Sequence, residues 1–326
     1  MLQVPGTSCR VPENSEFWFY MNKGKHSEFL VSGTWYPGPA RHFIAFFALL
    51  AQAGCVLARP ARANVDLPID VGGVSEVTFP SRSGSAIRAW YAPGRAGFGA
   101  VVLLHGVGSN RTSMLGRLRF LHARGYAVLA PDFQAHGESP GEHVTFGARE
   151  SLDAAAAVQF LRTSAPNERL GVIGVSMGGA AALVGPKPLD VDAMVLESVY
   201  PTFRDAVSDR LRVWLGPVGL LGPAIAPLLI GMVGPEIGVD ADSLRPIERI
   251  ASVREPVLML AGSDDEYTPI EESLALYDRI KSPKRFWEVH GAGHVDLHDF
   301  APAEYERIVG SFLAQQLWNQ RAIDNR

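Results

Sequence analysis

Cysteine is almost absent from this chain of 326 residues, which contains two, Cys9 and Cys55. Both lie before the globular pattern, which begins near Asn64. The globular part of the chain therefore has no disulfide framework, no thiol nucleophile and no cysteine-based zinc site.

An excess of positive charge is missing as well. Lysine and arginine number 30 against 34 acidic residues, which leaves a net charge of −4. Without an overall basic footprint, nucleic acid is not expected as a partner. The chain has no internal repeat and no low-complexity tract. Its hydrophobic content of 47% is ordinary for a globular protein, and its length allows a large core.

The N-terminal part lacks a hydrophobic run of full membrane-spanning length. Residues 43–58 are apolar but short, which suits the hydrophobic region of an export signal. Arg41 precedes this run, and Ala61-Arg62-Ala63 has the small-x-small form of a cleavage site. The run begins far from Met1, although a start at Met21 would shorten that distance. We therefore predict a leader over residues 1–63 that exports the protein or associates it with a membrane; a buried helix in a cytoplasmic protein is the alternative.

Short apolar runs alternate with helical patterns from Asn64 onward. This alternation predicts a mostly parallel sheet with helices on both faces. Ligands of such sheets bind at the C-terminal ends of the strands. The predicted strands are 74–79, 86–91, 100–104, 127–130, 169–173, 193–197, 256–261 and 285–289, and the main helices are 112–124, 150–163, 270–280 and 303–318.

The pentapeptide Gly174-Val175-Ser176-Met177-Gly178 lies between a predicted strand and a small-residue helix. Strand, G-x-S-x-G and helix form the context of a nucleophile elbow, which exposes a serine hydroxyl at a helix N-terminus. Glycines are needed because the turn is too tight for side chains beside the serine. The pentapeptide alone also fits a glycine-rich turn with an incidental serine.

A serine nucleophile requires a base and a carboxylate that orients the base. His294 follows Gly291-Ala292-Gly293 after the last predicted strand and could be the base. Asp264 and Asp265 both follow the preceding strand, and their positions alone leave the choice between them open. The order serine, aspartate, histidine matches the order found in hydrolases with a nucleophile elbow.

With these motifs, the chain from about Val74 to Leu317 resembles the α/β-hydrolase superfamily. It is most similar to the lid-bearing serine hydrolases, which include monoacylglycerol lipases, depalmitoylating thioesterases and prolyl peptidases. Ala135 departs from the family pattern, which usually has glycine before His-Gly. The motifs that carry the resemblance are Leu104-His105-Gly106, Asp132-x-x-x-His136-Gly137-x-Ser139, Gly174-Val175-Ser176-Met177-Gly178, Gly262-x-x-Asp265 with Pro269, and Gly291-Ala292-Gly293-His294.

The resemblance implies an α/β-hydrolase fold with a helical cap insertion and a triad of Ser176, Asp265 and His294. Family spacing selects Asp265 over Asp264. It also implies an oxyanion hole formed by the backbone amides of Val107 and Met177, with no cofactor and no metal. The expected substrate is a small-molecule carboxylic ester or thioester.

The alternation of strands and helices stops between residues 200 and 253. Residues 213–235 carry no charge, but repeated glycine and proline argue against a membrane span. We predict a helical cap at 200–253, with the core formed by 64–199 and 254–326; a packed surface element without function is the alternative. Large apolar residues of the cap are expected to line an acyl site, namely Trp214, Leu215, Leu220, Leu221, Ile225, Leu228, Leu229 and Ile230.

Two other functions fit the same residues. Ser176 could attack an amide, as in a peptidase, or the chain could be a non-catalytic binding protein with this fold. The apolar cap favours an acyl chain over a charged peptide. His290, Asp296, His298 and Asp299 lie near His294, but their spacing matches no usual zinc motif and favours a solvated helix start.

Overall fold

The computed structural model describes residues 58–319 and the dipeptides 2–3, 10–11, 30–31 and 34–35. The dipeptides form two short antiparallel strand pairs. The apolar segment 43–58 lies outside the described residues except for Ala58, so export or membrane association stays a prediction. Within the described ranges, no helix combines the length and apolarity that a membrane crossing needs.

Eight strands form one central sheet in the order β8-β7-β6-β5-β3-β4-β2-β1. Strand β2 is antiparallel to its neighbours β1 and β4, and all other pairs are parallel. The mostly parallel sheet predicted from the sequence is thereby confirmed. The strands are β1 Ser75–Pro80, β2 Ala86–Ala92, β3 Ala100–Leu104, β4 Ala127–Pro131, β5 Leu170–Val175, β6 Ala193–Glu197, β7 Val257–Gly262 and β8 Lys284–Val289.

Helices cover both faces of this sheet. Strand β3 shows why, because all of its residues are apolar and buried, and successive side chains point to opposite faces. Val102 and Leu104 pack in one cluster with α2, α3 and α7, whereas Val101 and Leu103 pack in another with α1 and α9. The helices are α1 Leu115–Ala123, α2 Glu150–Ser164, α3 Met177–Val184, α4 Phe203–Leu215, α5 Gly222–Ile237, α6 Pro246–Arg249, α7 Ile270–Arg279, α8 Leu297–Phe300 and α9 Pro302–Leu317.

Helices α4 and α5 are inserted between β6 and β7, and we call them the cap helices. The expectation that glycine and proline interrupt this segment is correct at Gly216, where φ of 54° ends α4. It is wrong within α5, which contains Pro223, Pro227 and Gly231. Pro223 lies in the first turn, where the missing N–H would have no helical partner, and Pro227 removes a single helical hydrogen bond.

The first residues of the continuous described range, 58–319, lie beside the cap helices. Ala58 is fully buried in an apolar cluster with Phe203, Leu211 and Leu229 of those helices. Ala61–Arg62 then pairs with His136–Gly137 as a short parallel ladder. The predicted domain boundaries at residues 63, 199 and 253 stay predictions.

Candidate active site

Ser176 lies in the tight turn between β5 and α3. Its φ of 50° and ψ of −115° place a non-glycine residue in a sparsely populated backbone region. The turn is held from both sides, because the Ser176 N–H donates to Glu197 O at 2.8 Å and its carbonyl accepts from Ala180 N at 3.0 Å. A strained serine held in this way is the geometry expected of a nucleophile elbow.

The glycines of the pentapeptide allow three elements to approach closely. A Cβ on Gly178 would lie 2.2 Å from the carbonyl oxygen of Leu104 on β3. A Cβ on Gly174 would lie 2.6 Å from Cα of Gly179 in α3. The requirement for glycine at these positions is therefore close packing of backbone against backbone.

His294 and Asp265 are joined by a hydrogen bond of 2.8 Å between Nδ1 and Oδ2. The other oxygen of Asp265 accepts from the amides of Tyr267 and Thr268 at 2.9 and 2.8 Å. Asp265 is buried, whereas Asp264 is exposed and accepts from the hydroxyl of Ser263. The structure thus brings Asp265, and not Asp264, to His294. Because a carboxylate accepts at Nδ1, that nitrogen carries the hydrogen and leaves Nε2 to act as a base.

Ser176, Asp265 and His294 follow the C-terminal ends of β5, β7 and β8, which lie at one edge of the sheet. The Oγ of Ser176 is buried and makes no hydrogen bond within the described part of the chain, to His294 or to any other residue. Hydrogen bonds between a nucleophile and its base are often long in unliganded enzymes and tighten with substrate.

Val107 and Met177, the two residues predicted to form the oxyanion hole, both line one surface pocket. The amide of Met177 is the first of α3 and so has no helical acceptor. The loop that carries Val107 is held by His136, whose Nε2 accepts from the Gly108 amide at 3.2 Å. Nδ1 of the same ring contacts the Gln134 carbonyl at 2.9 Å, which makes Nδ1–H the donor there. The two predicted oxyanion-hole residues therefore share one surface.

His105 follows β3, and its side chain hydrogen bonds to loop backbone rather than lining the pocket. Its Nε2 accepts from the Phe133 amide at 3.1 Å and its Nδ1 contacts the Gly106 carbonyl at 2.8 Å. Burial, with a smaller contribution from His136, lowers the pKa of His105 to about 3, so the ring is neutral. Asp132 likewise forms an ion pair with the buried Arg111 and accepts a hydrogen bond from the Arg111 backbone amide. These contacts hold the two loops together.

The pocket lined by Val107 and Met177 encloses about 570 Å³ of space not filled by protein atoms, which includes open solvent. Helix α4 contributes one face to it, with residues at spacings of three and four. Its lining residues are Val107, Phe146, Met177, Tyr200, Phe203, Ala206, Val207, Arg210, Leu211, Trp214 and Leu229.

Of the cap residues expected to line an acyl site, Trp214 and Leu229 line this pocket. Others face solvent, and Leu220 and Leu228 are 77% and 47% exposed. The sequence analysis missed the lining face of α4, although its apolar residues recur with a helical period.

Phe146 and Tyr200 were also missed. Phe146 has φ of 52°, and its ring stacks on Phe203 with centroids 4.6 Å apart. The Tyr200 hydroxyl donates to the Phe146 carbonyl at 2.9 Å. The buried carboxylate of Glu150 accepts from the Gly147 amide and so fixes the same loop. No local sequence pattern marks this arrangement.

The loop after His294 begins a short helix. Oδ1 of Asp296 accepts from the amides of His298 and Asp299, and Oδ2 pairs with Arg117 at 2.7 Å. Arg117 in turn pairs with buried Glu197 at the end of β6. Asp296, His298 and Asp299 could offer metal ligands within 4.8 Å of one another, but Oδ1 of Asp296 already caps α8 and its Oδ2 already pairs with Arg117.

A family model described as "Alpha/beta hydrolase family" matches residues 101–308 of the chain. YqkD of Bacillus subtilis is 27% identical over 243 residues, which cover 72% of this chain and 77% of that protein. Rv2307c of Mycobacterium tuberculosis is 29% identical over 225 residues, which cover 68% and 72% of the two chains.

Solved structures give the same picture. The esterase Pf2001 of Pyrococcus furiosus superposes with a TM-score of 0.65 at 26% identity, over 80% of this chain and 98% of its own. A proline iminopeptidase of Mycobacterium smegmatis superposes with a TM-score of 0.54 at 18% identity, over 74% and 98% of the two chains. The second likeness shows the fold alone.

Proposed function

The chain is a hydrolase that belongs to the alpha/beta hydrolase family, and from this premise we propose that it cleaves a carboxylic ester or thioester through an acyl-enzyme on Ser176. The observation that carries the proposal is the 2.8 Å hydrogen bond between His294 and buried Asp265, at the sheet edge where the strained Ser176 lies. Asp265 orients the base, and His294 activates the hydroxyl.

Acylation begins when Ser176 Oγ attacks the carbonyl carbon and passes its proton to Nε2 of His294. The carbonyl oxygen becomes an oxyanion, which accepts hydrogen bonds from the amides of Val107 and Met177. The position of Met177 at the N-terminus of α3 favours this negative charge. Asp265 stabilises the imidazolium that forms.

Collapse of the intermediate breaks the bond between the carbonyl carbon and the leaving oxygen or sulfur. His294 gives its proton to that atom, so the alcohol or thiol departs neutral. Water then attacks the acyl-enzyme, with His294 again taking a proton, and the free acid and Ser176 are restored. The two half-reactions use the same amides for the oxyanion.

The pocket supports an acyl ester rather than a peptide with a free amine. Phe203, Val207 and Leu229 offer apolar surface to a chain. Arg210 places a positive charge in the same pocket and would repel an ammonium group. An aminopeptidase is therefore disfavoured as an alternative on the same triad.

Labelling by a fluorophosphonate probe, together with turnover of 4-nitrophenyl butyrate, tests the proposal. Ser176→Ala should abolish labelling and lower kcat by roughly 10³-fold or more, because the triad acts as a unit. Ser198→Ala is a matched control, since Ser198 also follows a strand, has φ of 47° and keeps a buried Oγ without a partner in the described residues. Loss of labelling in Ser198→Ala with retention in Ser176→Ala would contradict the proposal.

A further inference from the structure

One charged side chain lies among the described residues that line the pocket. That side chain is Arg210, and the other lining residues are apolar or aromatic. Arg210 projects from the same face of α4 as Phe203 and Leu211. A cation at this position calls for an explanation, because an apolar chain alone gains nothing from it.

Arg210 forms no direct ion pair within the described part of the chain, although its charge acts at longer range on Asp209, where it partly offsets the rise in pKa that burial causes. Its Nη1 donates to the Ala206 carbonyl of its own helix at 3.0 Å. Among the side chains that the structure describes, no carboxylate forms an ion pair with it. Other arginines of α4 differ, because Arg204 pairs with Asp242 at 3.2 Å and Arg212 pairs with Asp209 at 2.9 Å.

Arg210 is linked to the proposed base through one aromatic ring, that of Tyr267. Its guanidinium carbon lies 5.6 Å from the centroid of the Tyr267 ring. The Tyr267 ring in turn lies 5.7 Å from that of His294. The stack on Tyr267 fixes the planar group while its remaining N–H donors stay available. A guanidinium presents these donors as a fork that fits a carboxylate or a phosphate.

We propose that the substrate of this site is an ester that also carries an anionic group, a carboxylate or a phosphate, which Arg210 binds while an apolar chain fills the rest of the pocket. The inference rests on the proposed function and narrows its substrate class. The anionic group belongs to the acyl part or to the leaving alcohol, and both positions offer the same chemistry to the guanidinium.

Matched esters test this specificity by kinetics. 4-Nitrophenyl hexanoate is neutral, the mono-4-nitrophenyl ester of adipic acid adds a carboxylate, and 4-nitrophenyl 6-(phosphonooxy)hexanoate adds a phosphate. A second pair tests an anionic group on the leaving alcohol. The acetate ester of 6-hydroxyhexanoic acid carries a carboxylate there, and the acetate ester of hexanol is its neutral partner. Arg210→Gln should raise KM for an anionic ester by roughly 10- to 100-fold, the range of a charge-assisted hydrogen bond. KM for the neutral partner should change much less, so the ratio of the two KM values is the quantity that tests the proposal.

Two variants serve as controls for the kinetics. Arg210→Lys keeps the charge but not the fork, and should recover part of the preference. Arg204→Gln removes an arginine from the same helix whose side chain is 52% exposed and outside the pocket lining, and should leave every KM unchanged.

Binding to the Ser176→Ala protein separates this inference from the proposed function. Calorimetry should show octanoate or octyl phosphate binding more tightly than 1-octanol, and Arg210→Gln in that background should abolish the difference. Equal effects of Arg210→Gln on anionic and neutral probes, in kinetics and in binding, would overturn the assignment. Neutral-ester turnover that persists without Ser176 would overturn the proposed function and leave the binding comparison valid.

Discussion

Asp265 and Asp264 are adjacent in the chain but differ in what their carboxylates contact. Asp265 accepts from His294 and from two backbone amides, whereas Asp264 accepts from Ser263 at the surface. Asp265→Asn would present an amide nitrogen or a weaker acceptor to Nδ1 and so favour the wrong tautomer of His294. We expect kcat for an ester to fall by on the order of 10⁴-fold.

The neighbouring substitution is the control for this prediction. Asp264→Asn should change kcat by less than about threefold, because it disturbs one exposed hydrogen bond that contributes little. Thermal unfolding of both variants would show that the fold is kept. A larger loss of kcat in Asp264→Asn than in Asp265→Asn would reassign the acid.

The backbone conformation of Ala135 explains why the family pattern has glycine at this position. The sequence marks it as a departure from glycine, and the structure gives it φ of 60° with its methyl group fully buried. An alanine in this left-handed region carries a strain of about 1–2 kcal/mol, which glycine would avoid. The glycine of the family pattern therefore answers a backbone requirement, and alanine meets it under strain.

At the scale of elements, the contact between α3 and β3 fixes the elbow. Gly178→Ala would place a methyl group 2.2 Å from the Leu104 carbonyl oxygen and 2.7 Å from that of His105. Because both obstacles are backbone atoms at the end of a central strand, α3 must move and carry Ser176 with it. We expect a loss of about 2 kcal/mol or more in stability and near loss of ester turnover.

Gly231→Ala adds the same methyl group as Gly178→Ala, but we expect it to stabilise the protein. Gly231 is exposed within α5, and in the described part of the chain a Cβ added there would meet nothing within 4 Å outside the backbone of its own helix. Alanine should stabilise that helix by about 0.5–1 kcal/mol and leave turnover unchanged. Urea unfolding and ester kinetics of both variants check the pair, and equal tolerance of both substitutions would contradict the close-packed elbow.

The cap helices supply a second matched pair in Leu228 and Leu229. Leu229 is 3% exposed and lines the pocket, whereas Leu228 is 47% exposed and does not line it. Each substrate methylene buried in the pocket contributes up to about 0.8 kcal/mol, which corresponds to roughly threefold to fourfold in kcat/KM per carbon. Leu229→Ser should flatten this rise between acetate and decanoate esters, and Leu228→Ser should not.

Parallel chain-length profiles for the wild type and both variants would show that the acyl chain does not use the cap. The ester pocket would then have to lie in the loops after Gly106 and Asp132. Turnover of the acetate ester should stay nearly constant in all three proteins, because neither leucine touches the proposed triad.

The sequence predicts the central strands well because β3 to β7 are continuous or nearly continuous buried runs, and the loops after β3, β4, β5, β7 and β8 carry the motifs. Ser176, Asp265 and His294 could be placed for this reason. The cap is harder to predict. In the sequence of α4, charged residues stand between the apolar residues of the lining face, namely Arg204, Asp209 and Arg212. Which cap leucine faces the pocket depends on contacts between distant elements, and local periodicity does not contain that information.

At the scale of the whole molecule, a pair of carboxyl groups joins the cap to the core. Asp209 lies on α4 and Glu272 on α7, and each has a buried oxygen without a hydrogen-bond partner in the described residues. A hydrogen bond between the two carboxyl groups, which requires that one of them keep its proton, would satisfy both oxygens. Burial, and next the charge of Asp209, raises the pKa of Glu272 to about 9. Burial also raises the pKa of Asp209.

This pair predicts how stability depends on pH. A carboxyl group whose folded-state pKa exceeds its unfolded value stabilises the fold fully below the unfolded pKa, here 4.5. That stabilisation is lost as pH rises toward the folded value of about 9. The free energy of unfolding should therefore fall between about pH 4.5 and pH 9, by at most about 1.4 kcal/mol per pH unit for one proton, and the melting temperature should fall with it.

Glu272→Gln should flatten this fall, because an amide cannot ionise and can still hydrogen bond to Asp209. Burial raises the pKa of Asp153 to about 7, which adds a decline in the same direction, but Asp153 is present in both proteins and cancels in their difference. Glu271→Gln, at the exposed neighbouring position, is the control and should follow the wild type. Parallel plots of melting temperature against pH for the wild type and Glu272→Gln across this range would show that the pair holds no shared proton.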